Sequence, residues 1–112
     1  MWYDKFCGLP YRHLGDNPET GIDCFNLSKL VLESQTDYKL PYSTKDFCDN
    51  DDERWYDGIS KQLFNQFKET KWGWVSVNPK YKQTLDVATF YIGSTNVANH
   101  CAILVEPNKL LH

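Results

Sequence analysis

The hydrophobic period of this chain changes part-way along, and that change constrains its fold more than any other feature. Between Asp23 and Ser34 the stretch "DCFNLSKLVLES" puts Cys24, Leu27, Ser28 and Val31 on one side, because residues three and four apart stack on one face of a 3.6-residue turn. Leu30 adds to the same pattern. Asp23 sits where a carboxylate satisfies the free N–H groups of a first turn, so the spacing predicts a helix from about Cys24 to Ser34. A second helix is expected from about Asp51 to Lys68, with Trp55, Ile59, Leu63 and Phe67 as its buried stripe. After Trp72 the residues turn β-branched and aromatic: "WGWVSV" (72–77), "DVATFYIG" (86–93) and "CAILVE" (101–106) read as strands. Pro107 and Asn108 then turn the chain into "KLLH" (109–112), a hairpin signal. Helices followed by antiparallel strands make an α+β domain with the helix packed on the sheet.

The length of 112 residues suits one domain with one modest core. The formal net charge of -3, with no run of Lys or Arg, gives no footprint for nucleic acid. The acidic run from Asp49 to Glu53 reads as a solvated helix start. No apolar run reaches the roughly 20 residues that a membrane-spanning helix needs. The opening "MWYDKFCGLPYRHLG" has no signal-peptide pattern, so a protein made and folded in a cytoplasm is expected. Cys7, Cys24, Cys48 and Cys101 form no CxxC pair, and in a reducing compartment they are expected as free thiols. The segment from Phe6 to Gly21, rich in Gly, Pro, Asn and Asp, reads as loop, with His13 inside it.

Cys24 is the residue that asks for a chemical explanation. A thiol in the first turn of a helix feels unpaired N–H groups and the positive end of the macrodipole, which favour the nucleophilic thiolate. The same N–H groups can stabilise an oxyanion on a carbonyl that the sulfur attacks. A cysteine nucleophile also needs a base, usually histidine, and a group to orient that base. His100 begins the "HCAILV" strand and His112 ends the next one. If the "EPN" turn pairs Ala102 with His112, both imidazoles fall on one face and Cys101 points the opposite way, into the core. A one-residue slip would separate them. A zinc site from Cys24, His100 and His112 is the alternative use of the same atoms, but it lacks a close-spaced ligand pair.

These residues stand in a longer arrangement. "PYRHLGDNPETGIDCFNLSKLV" (10–31) resembles the nucleophile stretch of the NlpC-type peptidases, papain-like cysteine endopeptidases of bacterial cell-wall peptides. "LPYST" (40–44), "LDVATF" (85–90) and "HCAILVEPNKLLH" (100–112) follow in the family's order. The likeness runs from about Gly8 to His112. The opening "MWYDKFCGLPYRHLG" and the bulky Phe25 in "DCFNL" are similar to the phage branch associated with tail tips. Two positions depart from the pattern: Asn26 and Leu85 stand where the family usually has glycine. Many members also continue past the last histidine with more strands.

The resemblance implies a single papain-like domain over 1–112. Its N-terminal helix carries the nucleophile and packs on an antiparallel sheet. The resemblance assigns Cys24 as nucleophile, His100 as general base and His112 as its orienting partner. Tyr11 of the "PY" pair would sit near the sulfur and help bind substrate or the oxyanion, and Asp23 precedes the nucleophile as cap or site residue. No metal or organic cofactor is implied. The implied substrate is the peptidoglycan stem peptide, at the bond between γ-D-glutamate and the diamino acid. The implied partners are phage tail or baseplate proteins and the implied location is the virion tail, with a cytoplasmic or exported bacterial protein as the alternative. Two other uses of the fold stay open: a structural tail module with little activity, and an amidase or acyltransferase. Cys7, Cys48 and Cys101 are expected to be bland.

Overall fold

The computed structural model describes residues 1–44, 74–90 and 100–112. The predicted helix at 51–68, the acidic run at 49–53 and Cys48 lie outside the described residues. Within them the chain is mixed helix and sheet: β1 (Asp16–Asn17), β2 (Gly21–Ile22), α1 (Cys24–Gln35), β3 (Val87–Phe90), β4 (His100–Glu106) and β5 (Lys109–Leu111). Short 3-10 turns at Asp4–Phe6 and Pro79–Tyr81 complete it. β1 and β2 form a small antiparallel pair, and β3, β4 and β5 form an antiparallel sheet with β4 in the middle.

The helix begins where the cap chemistry places it. Asp23 is extended, and its Oδ1 accepts the Asn26 N–H at 2.8 Å. α1 ends one residue beyond the expected Ser34, and Thr36 closes it by donating its N–H to the Leu32 carbonyl. Leu27 and Val31 of its buried face pack with Ile103 and Val105 of β4, and with Tyr3, Phe6 and Ile22 from the N-terminal segment. Phe25, fully buried, stacks on Tyr42 with ring centroids 5.6 Å apart and joins Leu14, Leu40 and Cys101. β4 is buried from Cys101 to Val105, which fits the middle strand of a sheet with a helix on one face.

The loop before α1 is more ordered than its composition suggests. Asn17 Oδ1 accepts the Glu19 N–H at 2.8 Å and turns β1 back into β2. Ile22 donates its N–H to Pro10 O at 2.9 Å, and Tyr11 bridges Ile22 in parallel. The Gly15 carbonyl accepts both the Asp23 N–H at 3.0 Å and the Asn26 Nδ2 at 2.9 Å. Asn26 thus ties the loop to the helix through its side chain. Gly15 has no room for a side chain, since a Cβ there would meet the Gly21 carbonyl.

Leu85 has a φ of 76°. That is the left-handed region, which costs a branched side chain roughly 1–2 kcal/mol and a glycine almost nothing. The N–H of Leu85 donates to Leu104 O at 2.7 Å, and the N–H of Leu104 donates to Asp86 O at 2.9 Å. The bend thus sits where the chain enters the sheet.

The expected strand at 72–77 does not form over its described part, 74–77. No described strand pairs with it. Val75 and Val77 are exposed, and the segment is held instead by Trp74, whose Nε1 donates to Tyr42 Oη at 2.7 Å. Apolar alternation alone does not supply ladder partners. The expected strand at 86–93 forms over Val87–Phe90, and 91–93 lie outside the described residues.

Candidate functional site

The terminal hairpin decides where the two histidines go. Ile103 pairs with Leu111 and Leu104 with Leu110, the register that sets Ala102 opposite His112. The turn is the two residues Pro107 and Asn108. Glu106 faces Lys109 across it, with Lys109 Nζ 3.0 Å from Glu106 Oε2. Tyr3 Oη donates to the same Oε2 at 2.6 Å, tying the hairpin to the N-terminal segment. Leu111 packs into the core beside it. His112 Nδ1 then lies 3.2 Å from His100 Nε2, with the rings edge to face.

Cys24, in the first turn of α1, lies over the start of β4. Its sulfur lies near enough to the Cys101 side chain and backbone and to the His100 ring for each of them to lower the thiol. The Cys101 side-chain bond is the largest influence on the thiol. Burial opposes it, and the His100 hydrogen bond and charge add to it, so the thiol is lowered from 9.0 to about 5. His100 moves up from 6.5, because its hydrogen bond to Cys24 and the sulfur's negative charge outweigh burial. A thiolate–imidazolium pair therefore spans a window from about pH 5 to above 6.5. His100 Nε2 faces His112, which leaves Nδ1 for Cys24. As imidazolium, His100 donates from both nitrogens, and His112 Nδ1 accepts.

Tyr11 is exposed beside this pair, and its phenol is raised by burial and by the charges of Cys24 and Asp23. Asp23 is buried and raised from 3.8 to about 6. Burial is the main cause; the Thr44 hydroxyl and the Asn26 N–H pull the other way, and the charges of Cys24 and Asp16 raise it further. The folded value lies above the unfolded one, so this carboxyl stabilises the fold below about pH 4, and the contribution is lost as pH rises through about 6. Asn caps a helix as well as Asp. Asp23→Asn is therefore expected to gain stability over the wild type progressively from pH 4 to 7, up to about 3 kcal/mol. Paired denaturant titrations at the two ends of that range measure it, and a constant difference would sink the idea.

All five sequence-predicted residues, Cys24, His100, His112, Tyr11 and Asp23, thus gather at one end of α1 and β4. His13 is a half-buried loop residue. Among the described residues, no group of three His, Cys, Asp or Glu side chains is arranged to hold a metal.

The expectation for Cys101 needs correction. It is fully buried, as alternation predicted, but it is not bland: it is the largest influence on the Cys24 thiol. Ser28, also unremarked from sequence as a site residue, donates its hydroxyl to the Cys24 carbonyl at 3.2 Å and lies 3.8 Å from Cys101 Sγ. The available signal was the shared face of Cys24 and Ser28, which must rest on whatever strand carries Cys101. Among the described residues, no helix is long and apolar enough to cross a membrane. No protein-family model, curated protein or solved structure matches this chain.

Proposed function

We propose that this chain is a papain-like cysteine endopeptidase that cleaves peptidoglycan stem peptides. The observation that carries it is the Cys24–His100 pair, backed by His112 at 3.2 Å from the far nitrogen of His100. A half-buried thiol lowered to about 5 has more need of a chemical use than a core cysteine has. The left-handed backbone at Leu85 also supports the resemblance, since glycine is usual there in NlpC-type peptidases.

In this mechanism the Cys24 thiolate attacks the scissile carbonyl carbon. The oxyanion is met by the Cys24 N–H, which has no helical carbonyl behind it, and by the Tyr11 hydroxyl. His100 gives its Nδ1 proton to the leaving amine, and then takes a proton from the water that releases the acyl-enzyme. The family resemblance points to the bond between γ-D-glutamate and the diamino acid, and to local wall opening from a phage tail tip.

Mass spectrometry of muropeptides after incubation of purified peptidoglycan tests this. New cuts within the stem peptide, absent with Cys24→Ala, support it. No cut by folded wild-type protein, alone or on assembled tails, would favour a structural tail module. Transfer of the acyl group to an added amine in place of water would favour an acyltransferase.

His112 acts through His100. His112→Ala is expected to lower kcat about 10²-fold with little change in KM, the usual penalty for a misplaced catalytic group. His112→Asn restores an acceptor for His100 and is expected to recover part of the loss. Equal kcat in all three proteins would remove His112 from the site.

A further inference from the structure

Cys24 is met by a second thiol that the proposed peptidase chemistry does not use. Cys101 is buried at the start of β4, in the core cluster against which Cys24 packs, and it is the largest influence on the Cys24 thiol. Ser28 fastens the two from the helix side, bonded to the Cys24 carbonyl and 3.8 Å from Cys101 Sγ. Of the other cysteines, Cys7 is exposed and occupied elsewhere, with its Sγ 3.6 Å from Tyr3 O.

We infer that Cys24 and Cys101 form a peroxide-responsive dithiol, in which Cys101 resolves oxidised Cys24 into an intramolecular disulfide. Cys24 is the more accessible of the two, and it is the one held as a thiolate, the form that reacts with hydrogen peroxide. Its sulfur attacks one peroxide oxygen, which gives a Cys24 sulfenic acid and releases hydroxide. The Cys101 sulfur then attacks the Cys24 sulfur. The S–O bond breaks, and the hydroxyl leaves as water with the Cys101 proton. Two thiols are oxidised by two electrons, and one peroxide becomes two waters. Cys24 packs against the core cluster that contains Cys101, and Ser28 lies against both residues, so closure needs only a local movement. The disulfide would block the Cys24 sulfur and keep it from irreversible sulfinic acid, and an external dithiol would restore it. The inference needs only the two thiols and stands apart from peptidase activity.

The test treats reduced full-length protein at pH 7 with one equivalent of hydrogen peroxide. Intact-mass spectrometry should show the loss of two hydrogens, and a non-reducing peptide map should join Cys24 to Cys101. Dithiothreitol should reverse both. Cys101→Ser and Cys101→Val, checked for folding by circular dichroism, should instead gain one oxygen at Cys24, and a second only when a further equivalent of peroxide is added. Wild-type protein that gains oxygens as these variants do would overturn the inference. So would a map that joins Cys24 to Cys7 or Cys48. These readouts do not depend on cleavage, so they separate failure of the dithiol from failure of the proposed function.

Discussion

Cys24→Ala is expected, on the proposed mechanism, to lower stem-peptide cleavage by at least about 10⁴-fold, because removing the proposed covalent nucleophile forfeits the whole acyl-enzyme route. The helix should survive the change. Alanine is the best helix former, and the cap lies on Asp23, whose Oδ1 still meets the Asn26 N–H. Loss of activity with an unchanged far-ultraviolet spectrum would therefore report chemistry. Retained cleavage in a folded Cys24→Ala protein would end the cysteine mechanism.

His100→Ala is expected to cause a loss of similar order, since on the proposed mechanism it removes both the partner of the thiolate and the donor to the leaving amine. Its second effect separates it from a merely structural residue. The pH midpoint for alkylation of Cys24 should rise from about 5 by about 1–3 units, the usual influence of a nearby opposite charge. It should stop short of 9.0, because the Cys101 hydrogen bond remains and is the larger influence. The midpoint is the quantity to read. A less acidic thiolate is also more nucleophilic, so the rate at one pH understates the change. A wild-type midpoint near 9.0, unmoved in His100→Ala, would remove the pair.

Much of the site was legible because it is built from short-range rules. Asp23 as cap followed from the residue type and its position before an apolar helical face. The meeting of His100 and His112 was legible only as a condition on the register: the two-residue turn alone would set Ile103 opposite His112, and the irregularity between Leu104 and Glu106 shifts the pairing by one residue and brings Ala102 opposite His112. The strand expected at 72–77 does not form over its described part, 74–77, because apolar alternation says nothing about whether a partner strand is there. The order in the loop before α1 was missed because it rests on Gly15 and Pro10 carbonyls, which no side-chain pattern announces.

The sequence alone determined the mixed helix-and-sheet class, the start of α1, the hairpin at 100–112 and which side chains share a face of α1. Each depends on neighbours a few residues apart, where backbone geometry leaves few choices. Tertiary structure alone decided what Cys24 touches. Cys101 and His100 reach its sulfur only because α1 lies across β4, and that packing depends on how Leu27, Val31, Ile103 and Val105 fill one core. The same packing, through burial, lifts Asp23 to about 6, while the Cys101 and His100 contacts it brings draw Cys24 down to about 5. A sequence names the acids and bases, but their strengths come from the desolvation and the hydrogen bonds that folding imposes.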